Sequence, residues 1–146
     1  MDTIDSAILD ALKENSRMTA SGISKRVSLS IPAVTERIRK LEEAEIIEAY
    51  TIKVNRIKTN YKLLSFIFVN IDQTEHIEDF RKSIVQCSSV LECHHVAGEY
   101  DYLLKVLVED TQALEDFLSN TLKNIPGVLK SNTIISLSSL KENINL

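Results

Sequence analysis

The sequence predicts an α+β protein in which a winged helix-turn-helix unit precedes a βαββαβ domain. Near the N-terminus, apolar residues recur at helical spacing in short segments, whereas from residue 63 onward strand and helix periodicities alternate in two βαβ halves. A chain of 146 residues with only 3 Gly and 2 Pro has room for two small domains and little flexible linker. We expect a first domain at 1–54, a linker at 55–62 and a second domain at 63–146.

The first helix is predicted over residues 2–14, where Ile4, Ile8 and Leu12 repeat at every fourth position. Asp2 or Thr3 is expected to cap its N-terminus. Thr19 is the candidate cap of a second helix.

A third helix is predicted to follow the second one after a tight turn. Val34, Ile38 and Leu41 form one apolar stripe, Ser30 is placed to cap the helix, and Pro32 falls in its first turn. Two helices joined in this way have the geometry that lays a recognition helix into the major groove of DNA. The alternative is an ordinary helical hairpin with a solvated basic face.

The outward face of the third helix supplies the candidate DNA contacts. With the stripe buried, we expect Ala33, Glu36, Arg37 and Lys40 to point outward, with Thr35 and Arg39 on the flanks. Arginine binds guanine with two hydrogen bonds, threonine contacts base edges, and a carboxylate accepts from cytosine.

Charge distribution supports a local nucleic-acid contact on an acidic chain. The net charge is −4, but residues 1–60 hold 10 Lys and Arg against 9 Asp and Glu, a net +1. The remaining residues hold 7 against 12, a net −5. Residues 17–41 carry one acid, Glu36, and six bases: Arg17, Lys25, Arg26, Arg37, Arg39 and Lys40. Phosphate binding depends on the contacts made, so this patch suffices for modest affinity per subunit.

An alternating run at residues 50–54 predicts a strand that completes the winged unit. The second domain is predicted as two βαβ halves, which together give a ferredoxin-like sandwich. The expected strands are 63–71, 90–97, 102–109 and 128–138, and the expected helices are 75–86 and 112–124.

The first of these strands is apolar on both faces, because Ile67 and Val69 share one side and Phe66 and Phe68 the other. Helices of a ferredoxin-like sandwich cover one face of the sheet, so a second subunit is expected to cover the other. Dimerisation would also pair two recognition helices.

Five segments carry a family resemblance across essentially the full chain: residues 5–9, 23–27, 29–42, 46–51 and 98–104. With them the sequence resembles the Lrp/AsnC (leucine-responsive and asparagine-regulator) transcription factors. The resemblance implies an N-terminal DNA-binding unit and a C-terminal domain for regulation and dimerisation. It also implies further assembly, to tetramers or octamers, and an amino-acid effector bound between dimers near a glycine-containing hairpin.

Carried over by position, the resemblance gives the following candidates. Those for DNA are Ser30, Pro32, Ala33, Thr35, Glu36, Arg37, Arg39 and Lys40. The basic patch adds Lys25 and Arg26 as candidates for phosphate contact. Those for the effector are Gly98, Glu99, Tyr100 and Asp101, with Ser131 and Thr133 as weaker candidates. A glycine backbone leaves amides free for a carboxylate, and Glu99 or Asp101 would hold an α-ammonium. The alternative is that residues 98–101 only turn one strand into the next.

Two positions depart from the family pattern, since Ser28 and Glu45 stand where glycine is usual. If either needs a positive φ, we expect a cost on the order of 1 kcal/mol.

Other classes of protein find little support in the sequence. Cys93-His94-His95 and Cys87 match no zinc spacing, and on a strand His94 and His95 would face opposite sides, so no metal or cofactor is expected. We find no nucleophile–base pair or phosphate loop, which argues against an enzyme. The absence of a signal peptide and of a 20-residue apolar run predicts a cytoplasmic protein without membrane contact.

The sequence therefore predicts a sequence-specific DNA-binding regulator whose assembly responds to a small effector, with double-stranded DNA, a second copy of the chain and a free amino acid as partners. The alternative is an effector-independent protein that organises DNA with little sequence preference. Glu36 favours the first, because a carboxylate repels phosphate and accepts from cytosine.

Overall fold

The computed structural model describes residues 1–143, so residues 144–146 of the predicted second domain lie outside the described residues. Residues 1–53 form one compact unit and residues 54–142 another.

Three helices build the first unit: α1 (Thr3–Glu14), α2 (Ala20–Val27) and α3 (Ile31–Glu43). Its core consists of five buried side chains, those of Ile8, Ala11, Ile23, Val34 and Leu41. The predicted apolar stripes of α1 and α3 are confirmed, because Ile8, Val34 and Leu41 lie in this core and Ile4, Leu12 and Ile38 pack against it.

Both positions where glycine was usual have left-handed backbones. Ser28 has φ +54° at the end of α2, and Glu45 has φ +54° just after α3. The amide of Leu29 donates to the carbonyl of Ser24 at 3.2 Å, which closes the last turn of α2 around Ser28. The chain therefore turns correctly at both sites, but with side chains that disfavour this conformation.

The predicted wing strand at residues 50–54 is wrong. Residues 48–54 are irregular, and Tyr50, Ile52 and Val54 are exposed. A strand needs a hydrogen-bonded neighbour, and residues 1–53, all of them described, contain no other strand. The Tyr50 hydroxyl instead donates to Glu42 at the end of α3, at 2.7 Å.

Residues 55–62, predicted as a linker, form a turn within the second unit. The amide of Tyr61 donates to the carbonyl of Arg56 at 2.8 Å, and Asn60 adopts φ +70°. The Arg56 side chain donates to the carbonyl of Lys62 and the hydroxyl of Ser139, which holds the turn to the rest of the unit.

The second unit has the predicted βαββαβ order. Its elements are β1 (Leu63–Ile71), α4 (Ile77–Ile84), β2 (Val90–His95), β3 (Tyr102–Val108), α5 (Thr111–Asp116) and β4 (Val128–Ile135). The sheet is antiparallel with strand order β2-β3-β1-β4. The predicted helix at 112–124 is α-helical only in its first part, and continues as a π-helical turn (Phe117–Thr121) and a 3-10 turn (Leu122–Asn124).

The helices cover one face of this sheet. Phe80 and Ile84 of α4 pack with Ile67, Val69 and Leu104 in the main core, where all five are fully buried. On the opposite face, the strand register places Phe66 between Lys105 and Ile134 and Phe68 between Leu103 and Asn132. Both Phe66 and Phe68 are only partly buried in the single chain, and Ile134 is 51% exposed. We call this surface the open sheet face.

Candidate nucleic-acid interface and ligand site

The turn between α2 and α3 is fixed by local caps. Thr19 accepts a hydrogen bond from the amide of Gly22 at 3.1 Å and starts α2. Ser30 accepts from the amide of Ala33 at 3.3 Å and starts α3, with Pro32 in the first turn. The predicted cap of α3 is confirmed, so the helix that follows the turn has a defined direction.

The exposed stripe of α3 differs from the predicted one. Pro32, Thr35, Glu36, Arg39 and Lys40 are exposed, whereas Ala33 is half-buried. The outward surface of α3 is therefore centred on Thr35, Glu36 and Arg39. Thr35 and Arg39, which were expected on its flanks, are at its centre. We call Thr35, Glu36, Arg39 and Lys40 the reading stripe.

Arg37 lies beside this stripe and is bound within the unit. One Nη of its guanidinium donates to Asp2 at 2.8 Å and to Asp5 at 2.6 Å, both at the start of α1. These hydrogen bonds raise the pKa of Arg37, while the pKa values of both carboxyls are lowered by backbone hydrogen bonds and then by Arg37. Periodicity on α3 alone did not reveal these acids, which lie 35 and 32 residues earlier in the chain.

The reading stripe contains its own ion pairs. Arg39 donates to Glu36 at 2.8 and 2.9 Å and also binds Glu43 one turn later, while Lys40 lies 3.7 Å from Glu36. The hydrogen bond from Arg39 lowers the pKa of Glu36 and keeps it ionised. All four side chains are about half-exposed or more, so these pairs are open to exchange with other charged groups.

Two further DNA candidates lie on α2. Lys25 and Arg26 are both exposed in its last turn. Arg26 makes a two-bonded ion pair with Glu14 of α1, which lowers the pKa of that carboxyl. Lys25 has no ion-pair partner within 4 Å among residues 1–143, so on this helix it is the cation most readily offered to a phosphate.

In the second unit, residues 98–101 connect β2 to β3, and their side chains divide between the open sheet face and the helix-covered face. Tyr100 packs on Phe68 of the open sheet face at 5.1 Å, and Lys130 lies 5.4 Å above the Tyr100 ring and 3.8 Å from Glu99. The carbonyl of Glu99 accepts from the side-chain amide of Asn70 at 2.9 Å.

Asp101 belongs to the other side. One of its carboxylate oxygens accepts from the amide of Ile71 at 2.8 Å. Its backbone amide donates to the carbonyl of Val69, and its carbonyl accepts from the amide of Val96. Gly98 adopts φ +155° with open space where a Cβ would stand. The structure thus separates Asp101 from Glu99 and Tyr100.

A cavity of about 170 Å³ adjoins Asp101. Its lining is Ile71, Asp72, Gln73, Thr74, Ile77, His95, Asp101 and Tyr102. His95 stacks on Tyr102 with ring centres 5.0 Å apart, and the Tyr102 hydroxyl accepts from Arg81 at 2.8 Å. Of the predicted ligand residues only Asp101 lines this cavity. The missed residues lie between the end of β1 and the start of α4, and at the two ends of the turn from β2 to β3. Antiparallel pairing of the strands was the signal that brings these two segments together.

Ser131 and Thr133 do not line the cavity. They lie on the helix-covered side of β4, opposite Val69 and Ile67, and are half-buried.

The loop after β1 is fixed by a charged pair. His76 and Asp72 are 2.7 Å apart, and this hydrogen bond raises the pKa of His76 and lowers that of Asp72. Gly127, at φ +88°, has its Cα against His76, and a Cβ there would come within 2.3 Å of the histidine Cβ.

The side chains of the Cys93-His94-His95 segment in β2 have different neighbours and do not converge on one point. Cys93 packs against the main core, His95 stacks on Tyr102, and His94 is paired with Glu92 on the open sheet face at 3.2 Å. Burial raises the pKa of both Cys93 and Cys87. Within residues 1–143, no helix is long and apolar enough to cross a membrane.

Comparisons with known proteins match both units. Residues 1–48 match the winged helix-turn-helix DNA-binding family and residues 64–146 the Lrp/AsnC ligand binding domain. The leucine-responsive regulatory protein of Escherichia coli is 33% identical over 148 residues, covering 100% of this chain and 90% of that protein.

Solved structures are similar over the same length. A transcriptional regulator of Neisseria meningitidis, in complex with L-methionine, has a TM-score of 0.96 and 33% identity, covering 100% of this chain and 96% of that one. An AsnC family transcriptional regulator of Agrobacterium tumefaciens has a TM-score of 0.94 and 26% identity, with the same coverage. The chain therefore belongs to the Lrp/AsnC family of DNA-binding transcriptional regulators, which carry a ligand-binding domain.

Proposed function

We propose that this regulator reads specific DNA sequences through the reading stripe of α3. The observation that supports this most is a capped helix after a tight turn with one polar, exposed stripe that contains Arg39 and Lys40. Lys25 on α2 supplies a phosphate contact, and Ser30, Pro32 and Ala33 lie at the start of α3, the end that enters the groove. Arg26 reaches phosphate by exchanging its bond with Glu14.

Selectivity in this proposal comes from the acid within the stripe. Glu36 holds Arg39 when DNA is absent, and it is repelled by phosphate unless a cytosine amino group donates to it. Correct DNA satisfies both side chains at once, whereas random DNA leaves one of them unpaired. A two-fold site should have half-sites about 34–36 Å apart.

Fluorescence anisotropy with a duplex obtained by in vitro selection, and with a random duplex as competitor, tests this function. Arg39→Ala should lower affinity for the selected duplex at least about tenfold, since a bidentate base contact contributes roughly 1–3 kcal/mol. Lys82→Ala, an exposed lysine of α4, is the matched control and should have no effect. Equal affinity for selected and random duplex would contradict sequence-specific binding.

We propose that a second copy covers the open sheet face and forms a dimer. Phe66 and Phe68 are partly exposed there beside Leu103 and Ile134, an apolar patch that a monomer would leave in water. Phe66→Glu should give a monomer in light scattering coupled to gel filtration. Val85→Glu, at an exposed apolar position just after α4, should not. A wild-type chain that remains monomeric at micromolar concentration would contradict this assignment.

We propose that the effector is a free amino acid bound at the cavity beside Asp101, and that its binding changes assembly beyond the dimer. The Asp72 and Asp101 carboxylates suit an α-ammonium, and Ile71 and Ile77 suit an apolar side chain. The complex of the Neisseria meningitidis relative with L-methionine supports an effector of this class. A ligand that prefers one assembly shifts the population toward it and re-spaces the reading stripes on DNA.

A thermal-shift screen of the twenty amino acids tests the effector. A binding amino acid should raise the melting temperature, and Asp101→Asn should abolish the rise while its oxygen still accepts from Ile71. Glu109→Gln, an exposed acid just after β3, is the control and should keep the rise.

The effector-independent alternative has one observation in its favour: Glu99 and Asp101 are already bonded to Lys130 and to the amide of Ile71. A screen in which all twenty amino acids fail would favour this alternative.

A further inference from the structure

Arg37 joins two helices through a single guanidinium group. Asp2 is the N-cap of α1, and Asp5 completes a capping box with it, because each carboxylate accepts from a backbone amide at the helix start. The same two carboxylates accept from Arg37 in the middle of α3. The start of α1 is thus connected by hydrogen bonds to the helix proposed to contact DNA.

The exposure of these side chains distinguishes Arg37 from its neighbours. Its side chain is 30% exposed, against 51% for Arg39 and 67% for Lys40, and its partner Asp5 is only 17% exposed. Arg37 and Asp5 line a depression of about 460 Å³ that also reaches Glu36 and Lys40 of the reading stripe, so Arg37 lies between the stripe and α1. Arg37 therefore lies at the side of α3 near α1, whereas Arg39 and Lys40 face solvent.

Charge makes Arg37 an unsuitable partner for phosphate where it lies. Two carboxylates already pair with the one guanidinium, so the charge of Arg37 is neutralised where it lies. To reach DNA, Arg37 would have to leave both acids, which would then remain near the phosphates without a cation. Both acids are also held in place by backbone amides at the start of α1: Asp2 accepts from Ile4 and Asp5, and Asp5 accepts from Asp2.

We infer that Arg37 is a positioning residue that orients the reading stripe, and not a residue that contacts bases or phosphates. This inference rests on the proposed DNA-binding function. The Asp2–Asp5–Arg37 cluster fixes the rotation of α3 against α1, and this rotation decides whether Thr35, Glu36 and Arg39 meet the base edges together. Loss of the cluster should therefore lower specificity without removing a phosphate contact.

The slope of log affinity against log salt separates the two roles. Loss of one phosphate contact should lower the slope by about 0.9, and we expect this for Lys40→Ala. Arg37→Ala should leave the slope unchanged. Affinity for the selected duplex should fall about tenfold, and the ratio of the affinities for selected and random duplex should fall with it. A fall in slope for Arg37→Ala equal to that for Lys40→Ala would overturn the inference.

Asp5→Asn should change DNA affinity in opposite directions, depending on whether Arg37 acts through its charge or by positioning α3. Removing an acid near DNA should tighten binding if Arg37 acts through its charge alone, because more cation becomes available. If Arg37 positions α3, Asp5→Asn should weaken specific binding as Arg37→Ala does, and the double variant should be no worse than either single one. Tighter binding, or full additivity, would overturn the inference.

Amide hydrogen exchange provides a readout without DNA and also checks folding. In Arg37→Ala and Asp5→Asn, exchange should rise in α1 and α3 while the second unit is unchanged, whereas Arg39→Ala should leave α1 at its wild-type rate. Unchanged exchange in α1 and α3 would refute the cluster as a positioning device. A wild-type chain that binds selected and random DNA equally would instead refute the proposed function, and exchange alone would then decide the role of the cluster.

Discussion

Ser28→Gly should stabilise the first unit, because Ser28 holds a backbone conformation that suits glycine. Its φ of 54° and ψ of 41° lie in the left-handed region, where a non-glycine residue costs about 1–2 kcal/mol. Glycine adds about 0.4–1 kcal/mol of entropy to the unfolded chain, which opposes the gain. The Ser28 side chain is exposed, so its removal loses no burial. The net stabilisation is about 0.5–1 kcal/mol.

For a unit of this size, that stabilisation corresponds to a rise in melting temperature of about 3–6 °C. Differential scanning calorimetry of the full chain measures it, and Ser21→Gly is the matched control. Ser21 is exposed within α2, so glycine there should lower the melting temperature because it weakens a helix. If Ser28→Gly is neutral or lowers the melting temperature as Ser21→Gly does, the reasoning from φ is refuted.

Three further predictions follow from single contacts. His76 has a raised pKa, so its pair with Asp72 stabilises the second unit fully below pH 6.5 and is lost as pH rises through the folded pKa. In urea denaturation, the free energy of unfolding should fall between pH 6 and 8, and His76→Asn should make this fall smaller. Gly127→Ala should destabilise the same unit by about 1–3 kcal/mol in urea, because its Cβ meets His76. Glu36→Gln should raise affinity for random duplex roughly two- to fivefold and free Arg39, as anisotropy would show.

The features predicted correctly from sequence depend on short-range order. Ser30 caps α3, and Val34 and Leu41 are buried, because a cap and a helical stripe are decided within a few residues. The same periodicities predict the strands and helices of the second unit. The errors fall at the ends of these elements and in the helix at 112–124, which changes to π-helical and 3-10 turns after Asp116.

The features missed depend on pairing between distant residues. The run at 50–54 alternates like a strand but has no strand beside it in its unit. Arg37 was expected to face outward because α3 alone does not show that Asp2 and Asp5 lie beside it. The separation of Tyr100 from Asp101 was also missed, because both residues precede β3, and Asp101 lines the same cavity as its strand neighbour Tyr102 instead of alternating with it.

The internal pairing of basic side chains has a consequence for how this regulator would respond to its effector. Arg26, Arg37, Arg39 and Lys40 each lie within 4 Å of at least one carboxylate of the first unit. Of the basic candidates for DNA contact, Lys25 alone has no such partner among residues 1–143. With few counterions released, one unit alone binds DNA weakly under the proposed function. Joining two such units raises overall affinity by about 10²–10⁴ only when both reach their sites together. An effector that alters assembly would then control DNA binding without touching the reading stripe, because the spacing of the stripes decides whether both reach their sites together, while their chemistry decides which sequence is bound.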